Sequence, residues 1–203
     1  MITIVNYGLG NVQAIANIYL RLNIPVRIAA SAAELADAPK IILPGVGAFD
    51  WAMTRLNQSG MREPLEDLVG RGRPVLGICV GMQMMFGRSE EGVLPGLQWI
   101  DGEVRRFDES TFTAKTHLPH MGWNDVLPKQ TNCLFRALES EARFYFLHSY
   151  YTAPSRDADV LAVTDYNGGF SSSVRSGNVF GVQFHPEKSH QWGIRLLQNF
   201  AEL

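Results

Sequence analysis

The sequence predicts an α/β protein built on an open, mostly parallel, twisted sheet with helices on both faces, plus antiparallel strands in its C-terminal half. Three observations carry that expectation. Up to residue 79, short β-branched apolar runs alternate with stretches of helical apolar spacing. Beyond about Glu91, strand-like pieces follow one another closely, separated by turn residues such as Asn167-Gly168-Gly169 and Ser176-Gly177-Asn178. Between the two halves, an apolar run ends in Gly77-Ile78-Cys79-Val80-Gly81, the pattern of a sharp strand-to-helix turn.

Taken in order, Met1–Val5 reads as a buried strand, and Val12–Leu22 as a helix with Val12, Ile15, Ala16, Tyr19 and Leu20 on one face. Pro25–Ala29 is a second strand, residues 34–38 a short helical piece, and Lys40–Leu43 a third strand running into Pro44-Gly45-Val46-Gly47. Helical stretches near 50–58 and 61–70 feed a strand at 74–78, and a methionine-rich helical segment follows it. Later strands are expected at Gln98–Ile100, Glu103–Phe107, Phe144–Tyr151, Val160–Thr164, Ser172–Arg175 and Val179–Phe184, with a closing helix over 189–203. No linker or internal repeat divides the chain, so one domain over residues 1–203 is expected.

Bulk composition narrows the function classes. The 203 residues are 46% hydrophobic and 19% charged, within the range of ordinary globular chains, and the net charge is −2. Such a balance gives no electrostatic reason to expect a nucleic acid or an anionic membrane as partner, and Arg71-Gly72-Arg73 and Arg105-Arg106 read as solvated faces. The opening MITIVNYG lacks the basic and apolar regions of a signal peptide, and no uncharged apolar run approaches the ~20 residues that span a bilayer. Two cysteines, Cys79 and Cys133, provide no disulfide framework, so free thiols in a reducing cytoplasm are expected. Gly8-x-Gly10 follows a strand, but Gln13 stands where a dinucleotide loop needs its third glycine. His117-x-x-His120 and the His185/His190 pair lack a third ligand at recognisable spacing, so neither metal nor other cofactor is expected.

Chemistry enters at the elbow. A turn of this kind lifts its central side chain above the sheet and demands small neighbours two residues away, which Gly77 and Gly81 supply. A free thiol with pKa ~8.5 is mostly protonated at neutral pH, and a helix N-terminus or a nearby imidazolium favours the thiolate. The Val80 N–H is placed to serve as an oxyanion donor. A buried structural thiol is the plainer reading of Cys79, and it is the one adopted for Cys133, which has no flanking glycines. His185-Pro186-Glu187 tips the balance for Cys79. Proline holds His185 extended, and residues i and i+2 of an extended chain face the same way, so Glu187 can orient the imidazole. Nucleophile, base and orienter are then all present. Backbone N–H groups of the strand end Leu43-Pro44-Gly45-Val46-Gly47, at the same end of a parallel sheet, offer a second oxyanion donor. Gln83 lies one helical turn beyond Cys79, Glu91 could anchor an ammonium group, and His148-Ser149-Tyr150 closes an apolar strand with polar groups.

Taken together, GICVGMQ, PGVG and HPEK resemble the class I glutamine amidotransferases. Within that family, NYGLGN, PGVGAF, SEEG, LPHMGWN, FLHSY and HPEKS, spread from residue 6 to 189, are similar to the glutaminase subunits of imidazole glycerol phosphate synthase. The resemblance implies that Cys79 attacks the glutamine amide, His185 serves as acid and then base, and Glu187 orients it. It implies an oxyanion site of Val80 with the movable Gly45–Val46 peptide, and L-glutamine contacts at Gly47, Gln83, Glu91, His148, Ser149 and Tyr150. It further implies a (β/α)8-barrel synthase (cyclase) partner that receives ammonia, docked near Asn11, Trp123, Asn124, Tyr145 and Lys188. Amidotransferases serving anthranilate, guanylate or pyridoxal phosphate synthesis, a cysteine peptidase or γ-glutamyl hydrolase on the same elbow, and an inactive scaffold remain as alternatives.

Overall fold

A computed structural model describes residues 1–113, 116–129 and 132–203. The N-terminal half is the expected alternation. Strand β1 (Ile2–Val5), helix α1 (Val12–Arg21), β2 (Val26–Ala29), α2 (Ala32–Leu35), β3 (Ile41–Gly45), α3 (Phe49–Gln58), α4 (Arg62–Gly70), β4 (Val75–Cys79) and the single turn α5 (Val80–Gln83) follow in order. Then come β5 (Gly102–Arg106), β6 (His120–Asp125), β7 (Leu127–Pro128), β8 (Arg143–His148), β9 (Tyr150–Pro154), β10 (Val160–Asp165), β11 (Gly169–Ser176), β12 (Val179–Val182) and α6 (His190–Ala201).

The central sheet runs β2-β1-β3-β4-β12-β11-β10-β7. Pairing is parallel from β2 to β12 and antiparallel from β12 onward. β5 and β9 pair with each other beside β11, and β6 with β8 forms a separate antiparallel ribbon. Right-handed crossovers set the layers: stepping outward from β1 to β2 puts α1 on one face, and the return to β3 and β4 puts α2 to α4 on the other. In agreement, α1 packs on α6 and α2 on α4. β1, β3 and β4 are buried on both faces, as strands covered by helices on both sides must be. Toward the C-terminal half the core is aromatic: Phe135, Phe144, Phe146 and Phe184 are all fully buried, with Phe144 stacked on Phe184 at 3.9 Å.

The structure corrects several sequence expectations. α2 begins at Ala32 because Ser31 caps it, its Oγ accepting the Glu34 N–H at 3.3 Å while Glu34 reaches back to the Ala30 N–H at 2.7 Å. Pro44 and Gly45 belong to β3 and pair with Ile78 and Cys79, so the loop starts only at Val46. Gln98–Ile100 is not a strand: Gln98 has φ 57°, and the Leu97, Trp99 and Ile100 N–H groups are spent on the carbonyls of Met84 and Met85. Phe144–Tyr151 is two strands, because the chain leaves β6 at His148 and joins β5 at Tyr150. β6 is an additional strand, interrupted in character by Gly122 at φ 126°.

At the carboxyl ends of β3 and β4, backbone packs on backbone without side chains between. A Cβ on Gly81 would lie 1.9 Å from the Leu43 carbonyl oxygen, one on Gly77 2.7 Å from the Gly81 oxygen, and one on Gly45 2.5 Å from the Gly81 nitrogen. Gly81→Ala is therefore expected to destabilise the fold by about 3 kcal/mol, at the upper end of overpacking costs. Urea denaturation checks this; an unchanged midpoint would show that the strands can separate without loss.

Candidate active site

Cys79 ends β4 with φ 56° and ψ −116°, a conformation few non-glycine residues adopt. The thiol is buried, and the Gln183 Nε2–H points at its sulfur across 3.7 Å. β12 lies parallel to β4, with Val182 opposite Ile78, so the residues that follow β12 emerge beside the elbow. His185 is held there by its N–H donating to the Tyr145 carbonyl (2.8 Å) and its own carbonyl accepting from the Ser189 hydroxyl (2.6 Å).

The Glu187 carboxylate accepts from His185 Nδ1 at 2.9 Å, and both side chains are buried. Pro186 keeps His185 extended as expected, but Pro186–Lys188 then winds into a 3-10 turn, and it is this turn that brings the carboxylate back to the ring. With Nδ1 engaged by Glu187, the other ring nitrogen remains for the Cys79 sulfur. Burial opposes the charged imidazolium, but hydrogen bonds from Cys79 and Glu187 outweigh it and raise the His185 pKa to about 10. At neutral pH the ring therefore keeps its proton.

A cavity of about 290 Å³ opens over this pair, at the lower end of the size range for ligand pockets. Val46, Gly47, Val80, Gln83, His148, Ser149 and Tyr150 line it, and the Glu91 and Lys188 side chains reach it. Gly45 does not line it; it sits in the ladder opposite Cys79, beneath Tyr7. Glu91 is half-buried and accepts the Phe49 N–H at 2.8 Å. Its pKa is raised, chiefly by burial, with the Phe49 N–H opposing and Asp50 adding to the rise. Asp50 steadies the same loop by accepting from the Val93 and Leu94 N–H groups.

Of the residues expected at a docking face, Trp123, Tyr145 and Lys188 come together. Trp123 is paired with Tyr145 across β6 and β8, and Lys188 Nζ lies 5.5 Å over the Tyr145 ring. His190 stacks flat on Trp123, and Trp192 adjoins it. Asn124 does not join them: strand alternation turns it to the opposite face of β6, where its Nδ2 donates to the Asp165 carbonyl at 2.9 Å. Asn11 is exposed at the start of α1, outside the cluster.

Three residues at the site were given no part in it by the sequence. Gln183 touches the sulfur, Tyr7 donates its hydroxyl to the Pro44 carbonyl at 2.8 Å beneath the elbow, and His120 sits behind His148. Only Gln183 had a visible cue, its place two residues before His185. Among the described residues, no group of three His, Cys, Asp or Glu could hold a metal ion, and no helix is long and apolar enough to cross a membrane.

Residues 3–203 match the family of class-I glutamine amidotransferases, and the chain belongs to that family. It is 58% identical to the imidazole glycerol phosphate synthase subunit HisH of Bdellovibrio bacteriovorus and 48% identical to that of Leptospira interrogans, in each case over the full length of both chains. A solved glutamine amidotransferase superposes with a TM-score of 0.74 at 17% identity, covering 100% of this chain and 99% of the other, which supports the fold. The resemblance read from the motifs, at both its broad and its narrow level, is thus matched by the relatives.

The charge on His185 gives a direct expectation. NMR titration of its ring should show a pKa far above the ordinary 6.5, near 10, and Cys79→Ala should lower it, because one of the groups holding the proton is gone. A wild-type ring that titrates near 6.5 would contradict the geometry.

Proposed function

We propose that the chain is the glutaminase subunit of an imidazole glycerol phosphate synthase, acting in histidine biosynthesis in the reducing cytoplasm as one amidotransferase domain over residues 1–203. L-Glutamine is hydrolysed to glutamate and ammonia through a thioester on Cys79, with no cofactor. The observation that carries this reading is the buried Cys79–His185–Glu187 constellation at the floor of a cleft of amino-acid size.

The roles follow from the chemistry of amide hydrolysis. Cys79 sulfur attacks the side-chain carbonyl carbon, and the tetrahedral oxyanion is met by the Val80 N–H and by the Gly45–Val46 peptide. His185, which holds a proton at neutral pH, gives it to the departing ammonia. The neutral ring then takes a proton from water as that water attacks the thioester, releasing glutamate and returning sulfur and ring to their starting state. Glu187 keeps Nδ1 occupied throughout and fixes which ring nitrogen works. Glu91 carries the charge that suits the substrate's ammonium, and Gly47, Gln83, His148, Ser149 and Tyr150 shape the rest of the pocket.

Ammonia released into water becomes ammonium, which is no nucleophile, so a partner that receives it directly is expected. That partner is the barrel-shaped cyclase subunit, giving imidazole glycerol phosphate and aminoimidazole carboxamide ribotide from the assembled pair. Trp123, Tyr145 and Lys188 form the docking anchor, since aromatic side chains in a partly exposed cluster are the usual high-energy contacts of such interfaces. Asn11 and Asn124 stand outside this anchor, Asn124 on the opposite face of its strand.

Cys79→Ala should lower glutamine turnover by about 1000-fold or more, yet leave the barrel partner able to use added ammonium salts. A glutamine-to-glutamate assay of the chain with and without that partner, alongside the ammonium-dependent assay, checks both. Joint loss of the two activities would refute the division of labour. Turnover of the chain alone is expected to be lower, because the partner brings the Gly45–Val46 peptide into line; equal rates with and without the partner would refute this.

A further inference from the structure

Behind the glutamine pocket, five polar side chains and one carbonyl form a continuous run. Asn124 Nδ2 lies 3.2 Å from His120 Nε2, His120 Nδ1 3.0 Å from His148 Nε2, and His148 Nδ1 2.7 Å from the Tyr150 carbonyl oxygen. The same carbonyl accepts from Gln83 Nε2 at 3.1 Å. Gln83 Nε2 also donates to Gln183 Oε1 at 3.0 Å, and Gln183 Nε2 faces the Cys79 sulfur.

Every donor in this run is determined by its ends. A carbonyl carries no proton, so His148 must hold its proton on Nδ1. Burial keeps both rings neutral, lowering the pKa of His148 to about 3 and that of His120 to about 4. A neutral ring has one N–H, so His148 Nε2 is an acceptor, and only an Nδ1–H on His120 can satisfy it. His120 Nε2 is then an acceptor in turn, met by the Asn124 amide, whose other hydrogen goes to the Asp165 carbonyl and whose oxygen takes the Asp125 N–H. On the other branch, Gln83 spends both amide hydrogens, so Gln183 must turn its oxygen toward Gln83 and its N–H toward the sulfur. The Nδ1–H tautomer on both histidines is the less common one, and a wrong proton at any link leaves two donors or two acceptors face to face.

His120 is the link that makes the order possible. Its ring is clamped between Phe146 (4.6 Å, 22°) and Tyr166 (4.0 Å, 25°), so it cannot turn to present the other nitrogen. We infer that His120, which does not touch the cavity, is a positioning residue for glutamine hydrolysis: its Nδ1–H meets His148 Nε2 and so holds the His148 ring in place against the Tyr150 carbonyl, in the wall of the pocket. The inference rests on the reading of Cys79 as the glutaminase nucleophile.

The first experiment is ¹⁵N NMR of the histidine-labelled chain. The expected result is a protonated Nδ1 and a bare Nε2 on both His120 and His148; an Nε2–H form on either ring overturns the proposal. The second compares two variants in the complex with the barrel partner. His120→Phe keeps the aromatic sandwich but removes both nitrogens. It should leave His148 Nε2 without its donor, let that ring turn, and lower kcat/KM for glutamine by about 10- to 100-fold, with KM carrying more of the loss because the 148–150 wall moves furthest. His120→Gln offers an N–H toward His148 and a carbonyl toward Asn124, and should restore most of the lost kcat/KM. Unchanged kinetics in His120→Phe, or no recovery in His120→Gln, overturns the proposal. If His120→Phe does not fold, the wild-type tautomers and His120→Gln still decide. A wild-type complex without glutaminase activity would remove the reading of Cys79 while leaving the tautomer assignment standing.

Discussion

The site depends on one close approach: the backbone of α5 pressed against the end of β3. Leu43, Gly45, Gly77 and Gly81 leave no space there for side-chain atoms. That contact allows the chain to turn from strand to helix within one residue, and Cys79 takes the backbone strain that results, at φ 56°. Strain of this kind persists only when its surroundings over-determine it. Here the determination comes from the parallel ladders on both sides, β3 to β4 and β4 to β12. The thiol is thus fixed by the sheet itself and not by a loop.

The remaining parts of the site converge on that fixed sulfur from distant parts of the chain. β12 delivers His185 and Gln183, β8 supplies both the backbone acceptor that holds His185 and the pocket wall at His148, and the segment after α5 returns with Glu91. What unites them is polar chemistry in a dry place. Gln83, Gln183, His120, His148 and His185 are all buried. In such surroundings an unmet donor or acceptor is expensive, so each group has little freedom in where it points. The cleft is therefore ordered by its hydrogen bonds as much as by its shape.

How much of this was legible in the sequence depended on the range of the interaction concerned. The elbow and the His185–Glu187 pair are local patterns, and both were readable. Even so, the carboxylate reaches the ring by a 3-10 turn that Pro186 initiates, not by the simple alternation of an extended chain. The strands of the N-terminal half have the continuous β-branched character of buried parallel strands and were found within one or two residues. β6 was missed because His120-Met121-Gly122-Trp123-Asn124-Asp125 holds no β-branched residue and contains a glycine at φ 126°. Gln98–Ile100 looked like a strand, yet its N–H groups complete the turn of a segment a dozen residues earlier. Tyr7 and His120 lie in motifs the sequence displays, but each acquires its role from partners that only the folded chain supplies.

The β6–β8 ribbon carries Trp123 on one face and His120 and Asn124 on the other, in register with Tyr145 and His148. Side chains along a strand alternate with a period of two, so sliding one strand by a single step would exchange the faces, exposing the imidazole and burying the indole. Evolutionary drift in length is thereby channelled. Deletion of one residue inside His120–Asp125 would put both faces out of phase at once.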